Sequence, residues 1–548
     1  MAEESESKLP KLLDFGDLPG SSKLWLDFLA GRAVDFYKHS YHQSESYEYL
    51  QEHLKSRQFD RLSLVKALKR QNQSFGSDEA TFANIEKLGH PATLAVVTGQ
   101  QVTLFGGPLY AFYKAALAVK VAATNCHRLK TEVVPVFWLA ADDADLAEAA
   151  TAWLPVGDEQ LAEFVFKPQV DLTGWSMSEV LLDEGILTLL DQYEQALPES
   201  EFRSGIVEIL RECYQPGRSL VQAFGCYLAR LFAGHGLILV DPSDPELRRL
   251  AQPIFQREIE LRHRSLTSVA SRNEQLIKRG YHLQVTRPDD YTNLFLHDGK
   301  RLRIDLTEEG FKAGEHLYSQ AEMEALVKKE PDRFSPNVFL RPIVQSQLFP
   351  TLIHFVGPAE AAYLAQIADL YELFGQEPPI IYPRFSATLV ERQDARVLAK
   401  HELKITALAG EVDALINSIF ARSFPADLEE RFARAEERVA KILHELVESL
   451  DQQDEGLITT AKRSAGRVGH EIEELRKKAF AAHKKKHQEV TRQLKRTALH
   501  LFPKGGLQER IVPLNYFLAK YGRNLLESLL QAVECDSSMH HLIELENL

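Results

Sequence analysis

The chain has 548 residues, 45% hydrophobic and 26% charged, a balance that excludes a disordered protein; its length calls for two or more buried cores. A net charge of −14 argues against a general nucleic-acid binder, because neutralising phosphates takes a surplus of Lys and Arg on some face. Cys126, Cys213, Cys226 and Cys535 form no CxxC or Cys/His cluster, the acidic start is unlike a signal peptide, and no apolar run approaches the roughly 18 residues that span a bilayer. These features read as a cytoplasmic protein with reduced thiols and neither a membrane nor a nucleic-acid partner.

Residues 1–90 form a helical segment expected to pack on the core: Leu24, Phe28 and Leu29 recur at helical spacing, as do Phe59, Leu62, Val65 and Leu68. From Val96 to Glu148 an apolar run, a glycine-rich turn, a helix, a second apolar run and an acidic cluster follow one another. That is the unit of a parallel α/β sheet, whose ligands bind beyond the carboxyl ends of the strands. The domain is expected to span 91–390, with insertions at about 151–215 and 265–335. Within it, LILVDPSDPELRRL reads as a strand and a helix with Asp244 as N-cap and Pro245 at the first helical position. Tyr281 to Leu306 suggests a hairpin around His297-Asp298-Gly299-Lys300.

Beyond Glu391 proline becomes rare. Ile405, Leu408, Val412, Leu415 and Ile419 step by three and four; so do Leu428, Phe432, Ala435, Val439, Ile442 and Leu446, and then Ile458, Ala461, Ala465, Val468, Ile472, Leu475, Ala479 and Ala482. Sustained alternation of this kind is a coiled-coil seam, so 391–505 is expected to be a helical dimerisation domain, broken at Phe424-Pro425 and at Asp451 to Gly456. The run Lys484 to His487 reads as a solvated helix face. The apolar, aromatic segment 506–548 is expected to return to the core.

Three clusters can carry chemistry. Thr98-Gly99-Gln100-Gln101 and Gly106-Gly107-Pro108 are either ordinary turns or loops that offer backbone amides to an anion, with Lys114 as a point charge behind them. They match neither GxGxxG nor a Walker A loop. Asp142, Asp143 and Asp145 can hold Mg²⁺, bind an ammonium or hydroxyl, or cap a helix; capping accounts for one of them, which favours a polar substrate site. The third cluster holds Asn337, Arg341, Gln345, Gly357, Glu360, Tyr363 and Gln366, the last three on one helix face, with Arg384 further on. That face is either a substrate-binding surface or a buried polar network. Trp138 is expected in the core, and no GxSxG elbow, Cys/His pair or HExxH supports covalent or zinc chemistry.

The ordered series TGQQ, GGPLY with its Lys, PVFWLA with an acidic cluster, SPN, RP, PT, GPAEAAYLAQ and PRFSAT, ahead of a coiled coil, resembles the BshC family of bacillithiol biosynthesis over nearly the whole chain, VDPSDPELRRL and NYFLAKYG included. The resemblance implies an α/β fold with a Rossmann-like core of nucleotidyltransferase type, connecting insertions and a coiled coil that supports a homodimer. It implies a ligase that adds cysteine to glucosaminyl-malate with ATP as cosubstrate and Mg²⁺ as a possible metal. Matched motifs carry over Gly99, Gln100, Gly107, Pro108, Tyr110, Lys114, Asp142, Asp143 and Asp145, then Asn337, Arg341, Gln345, Gly357, Glu360, Tyr363, Gln366 and Arg384, as site candidates. Asp142, Asp143 and Glu360 would position and deprotonate an amine, and Lys114 would stabilise phosphate charge.

The family's acidic motif usually reads Glu-Asp-His-Asp, whereas Ala144 here takes the place of the imidazole. Either the imidazole is dispensable or the activity is altered. The alternatives are an adenylate-forming nucleotidyltransferase for another small acid and a dimeric scaffold on a catalytically altered core.

Overall fold

The run VVPVFWLA is apolar throughout because both faces of its strand are covered: every residue from Val133 to Ala140 is buried. The structure, a computed structural model, describes residues 10–286, 290–451, 455–535 and 538–547. Its strands are β1 (Leu12–Leu13), β2 (Leu94–Gln101), β3 (Val133–Ala140), β4 (Thr151–Val156), β5 (Gln160–Val165) and β6 (Ile238–Val240). Next come β7 (Tyr291–Asp298), β8 (Lys300–Thr307), β9 (Gly310–Ala313), β10 (His316–Tyr318) and β11 (Phe334–Pro336). The last are β12 (Thr351–Val356), β13 (Ile380–Pro383), β14 (Ala387–Val390) and β15 (His540–Glu544).

The chain divides into two units, one made of 391–505 with 157–160 and the other of the residues up to 156, 161–390 and from 506 onward. The larger unit is built on a parallel sheet in the order β13-β12-β2-β3-β6. Helix Leu109–Leu129 crosses from β2 to β3 on one side, while β12 pairs with the other edge of β2, so the chain reverses its direction of growth at β2. Ligands of open α/β sheets bind at such a reversal, outside the strand carboxyl ends.

β6 leads into the long helix Pro245–Lys278, which Asp244 caps through its carboxylate, with proline at the first position. β7 and β8 form the expected hairpin, turning at Gly299, where φ is +70°. They belong to an antiparallel sheet in the order β10-β9-β8-β7-β11. At the chain's end β15 inserts between β1 and β14. No helix among the described residues is long and apolar enough to cross a membrane.

In the smaller unit Val397, Ile416, Phe420 and Leu494 make a buried cluster, against which Val412, Ile419 and Phe480 pack. Helices Ala426–Asp451 and Glu455–Lys486 pair with each other; of the break expected at Asp451 to Gly456, residues 452–454 lie outside the described residues, while Asp451, Glu455 and Gly456 are helical. Two features differ from the spacing rule. Ile405 and Leu408 lie in a 3₁₀ turn, Ile405–Ala409, separate from the helix that starts at Val412. Ile442, Leu446, Val468 and Leu475 are exposed, because a straight helix of 3.6 residues per turn drifts off a 3.5-residue seam, and Leu443 and Val447 take the inner positions.

Candidate active site

The carboxyl ends of β2, β3, β12 and β13 surround a cavity of about 270 Å³. Gly99 and Gln100 come from β2, Asp143 from the turn after β3, Gly357 and Glu360 from the turn after β12, and Arg384 from the end of β13. Tyr110, Lys114, Arg341, Tyr363 and Arg510 complete the wall.

Lys114 is its anchor. Nζ donates to Gly99 O (2.9 Å), Gln100 Oε1 (3.1 Å) and Glu360 Oε2 (2.6 Å), so all three ammonium protons are engaged. Glu360 also accepts from Gly357 N–H at 2.9 Å, its side chain reaching back over the first turn of its own helix. Burial would raise the Glu360 carboxyl, but Lys114 and this amide outweigh it and hold the group below the usual carboxylate range. Glu360 is therefore ionised and already partnered.

Gln100 Nε2 donates to the Tyr110 hydroxyl at 2.6 Å, and Arg341 donates to that of Tyr363. Burial pushes both phenols up to about 12, so they remain neutral hydrogen-bonding groups. The Arg384 guanidinium lies over the Tyr110 ring and pairs with buried Glu509 at 2.5 Å. Lys114, Arg341, Arg384 and Arg510 thus face Glu360 and Asp143 across one small space, an arrangement that selects an anion.

A second cavity, of about 290 Å³, adjoins the first. Trp138, Tyr291, Phe295 and Val285 give it an apolar lining, and Asp142, Arg301 and Asn337 give it polar groups. Ala140, Asp143, Val338 and Arg341 line both cavities and form the wall between them.

The three aspartates have three separate duties. Asp142 pairs with Arg248 at 2.6 Å, Asp143 Oδ1 accepts the amides of Ala144 (2.7 Å) and Asp145 (3.2 Å), and Asp145 caps the short helix Leu146–Ala149. They are not gathered as cation ligands. Among the described residues, the three-residue group whose donor atoms lie within 4.8 Å of one another is Glu391, Asp394 and His500, in the smaller unit. There Asp394 accepts from Thr497 and meets His500 Nδ1, both at 3.0 Å, and so ties two helices together.

The remaining candidates divide. Gly99, Gln100, Tyr110, Lys114, Asp143, Arg341, Gly357, Glu360, Tyr363 and Arg384 meet at the first cavity, while Asp142 and Asn337 line the second. Asn337 spends its side chain on Asn293 and on the amides of Phe339 and Leu340. Gly107, Pro108, Asp145, Gln345 and Gln366 line neither. The glycine turn is a correction to the sequence reading, because its amides are taken: Gly106 N–H donates to the Tyr214 hydroxyl, Gly107 N–H to Leu104 O, and Leu109 N–H to Val512 O. With no free donors it cannot cradle a phosphate. Gln366 links Asn273 to the backbone of Val285, and Gln345 is buried away from both cavities. Ala144 lines neither cavity, although its neighbour Asp143 lines both.

Arg510, Arg248, Arg301, Tyr291 and Phe295 were not legible as site residues. Arg248 lies in the first turns of the expected helix and Arg301, Tyr291 and Phe295 lie in the expected hairpin, but neither pattern says which side chain enters a cavity. Trp138 is 1% exposed, as a core residue should be, yet it also lines the second cavity.

Comparison with known families decides the affiliation. Residues 16–385 match the model described as Bacillithiol biosynthesis BshC, N-terminal Rossmann-like domain, and residues 387–545 match that family's C-terminal coiled-coil domain. The chain belongs to the BshC family. Among its relatives, a protein of Koribacter versatilis is 36% identical over 532 residues, 96% of this chain and 98% of that one. One of Salinibacter ruber is 35% identical over 88% and 89% of the two chains, and one of Chlorobaculum tepidum 34% over 89% and 90%. All three carry the name "Putative cysteine ligase BshC". The Rossmann-like core of the BshC model coincides with the parallel sheet, and both cavities lie within the span it matches except for Arg510, which the coiled-coil model includes.

Proposed function

We propose that the chain is a cysteine ligase that joins the carboxyl of cysteine to the amine of glucosaminyl-malate, with ATP as cosubstrate. The observation that carries this reading is the set of four cations, Lys114, Arg341, Arg384 and Arg510, around one cavity at the reversal point of the sheet in a BshC chain. Amide formation from a free carboxylate is uphill in water, so the cysteine carboxylate is first activated by ATP. Fixed cations around the cavity hold substrate carboxylates and stabilise the charge that develops during acyl transfer. Lys114, with its protons already directed, serves as a preorganised charge.

The attacking amine must lose a proton. Of Asp142, Asp143 and Glu360, Asp143 suits this task, since Asp142 is held by Arg248 and Glu360 by Lys114. The exposed stripe of Ile442, Leu446, Val468 and Leu475 supports a homodimer through the long helices, and the use of ATP supports a cytoplasmic location.

Purified protein incubated with cysteine, ATP and glucosaminyl-malate should yield the coupled thiol, detected by mass, and Lys114→Met should not. Absence of product while a relative assayed alongside makes it would overturn the assignment. Light scattering that reports a monomer at micromolar concentration would remove the dimer.

A further inference from the structure

The two cavities differ in chemistry and share one wall. The first is cationic, while the second is a half-open cleft in which Tyr291, with Arg303 over its ring, and Phe295 remain half-buried, their apolar edges partly uncovered. Such a lining is built for a ligand with an apolar face. Its other groups are largely spent: Arg301 stacks on Phe295 at 3.8 Å and donates to Pro336 O, and Asp142 is neutralised by Arg248. Asp143 is the exception. Two loop amides fix its Oδ1, and its Oδ2 has no hydrogen-bond partner among the described residues. Beside it Arg341 leaves its Nε unpaired and buried.

We propose that the aromatic cavity holds the ring of the amino sugar while the dicarboxylate attached to that ring occupies the cationic cavity, so that the sugar amine is presented to Asp143 at the shared wall. The proposal rests on the ligase reading given above and adds the orientation of the acceptor. A 2-amino sugar carries its amine on the carbon next to the one that bears the glycosidic link. If the link crosses the wall formed by Asp143, Val338 and Arg341, the amine must sit at that wall. The opposite orientation would place the ring among Lys114, Arg384 and Arg510, and would leave the two carboxylates only Arg301 and Arg341 as cations beside the aromatic rings. Asp143 then holds the ammonium and accepts its proton, and Arg341 neutralises the carboxylate nearest the link.

Calorimetry on the full chain tests this with three probes: malate, glucosaminyl-malate and its N-acetylated form, which carries no ammonium. Val285→Trp, which fills the aromatic cavity from a partly exposed position, and Tyr291→Ala are each expected to weaken glucosaminyl-malate about ten-fold and to leave malate unchanged. Arg510→Ala is expected to weaken both ligands. The wild type should prefer the free amine over the N-acetylated form about ten-fold, and Asp143→Asn should erase that preference. If malate still binds but neither Val285→Trp nor Tyr291→Ala affects glucosaminyl-malate, the orientation is wrong and the ligase reading survives. If glucosaminyl-malate does not bind the wild type at millimolar concentration, the ligase reading falls and the orientation falls with it.

Discussion

Arg384 and Glu509, 125 positions apart in sequence, form an ion pair at 2.5 Å in which neither side chain is more than 5% exposed. Glu509 also accepts Ser386 Oγ (2.9 Å) and Ala387 N–H (3.1 Å), so it holds β14 as well as aiming the guanidinium at the cavity. Replacing it leaves a buried cation alone. Glu509→Gln is expected to cost about 3–5 kcal/mol, measured by urea unfolding. A loss below about 1 kcal/mol would mean that the pair is solvated in solution.

Gly106 has φ +84°, and a Cβ built there would lie 2.1 Å from the Tyr227 ring. Tyr227 in turn is hydrogen-bonded to buried Asn515, so the ring cannot move aside easily. Gly106→Ala is expected to lower stability by at least about 2 kcal/mol, from the left-handed backbone and the overlap together. Thermal unfolding checks it, and an unchanged melting temperature would show that the turn can rearrange.

Lys114 and Glu360 should behave as one unit. Lys114→Met and Glu360→Gln are each expected to reduce kcat/KM by about 100-fold or more, and the double variant by little more than either. Full additivity of the two losses would separate their roles.

Two deeply buried imidazoles predict acid sensitivity. Burial depresses His354 and His540 to about 4. The unfolded chain takes up those protons near pH 6.5, while the folded chain refuses them until about pH 4, so stability is present above 6.5 and falls as the pH drops through this window. Each group contributes up to about 3 kcal/mol of that loss. His540→Gln should flatten the dependence between pH 7 and 5 in denaturant titrations, even if it lowers stability at neutral pH because of its bonds to Ser386 and Thr388. An unaltered slope would place the acid sensitivity elsewhere.

Local patterns carried much of this architecture. The apolar runs of β2 and β3, the helix between them, the Asp244 cap and the hairpin at Gly299 each depend on neighbours in sequence, and each is where periodicity and turn chemistry put it. What pairs at a distance was not legible. The glycine turn looked like an anion loop because the groups that occupy its amides, Tyr214 and Val512, come from 108 and 403 positions away. The acidic cluster looked like one site because Arg248, which takes Asp142 out of it, lies on another element. Arg510, and Arg301 beside Lys300 and Arg303, carry no local signal of a site, since an arginine in an ordinary stretch acquires meaning only from the cavity it enters.

β15, which follows the whole helical segment in sequence, sits in the middle of its sheet: His541 is paired with Leu12 of β1 on one side and with Ala387 of β14 on the other. Translation order therefore constrains assembly. A nascent chain that has completed β13 and β14 carries open strand edges and a lone Arg384, and must traverse the whole helical segment before Glu509, Arg510 and β15 leave the ribosome. A chain interrupted before residue 506 would therefore leave β1 and β14 without the strand that joins them and Arg384 without its carboxylate, and unpaired strand edges of that kind invite association with other chains.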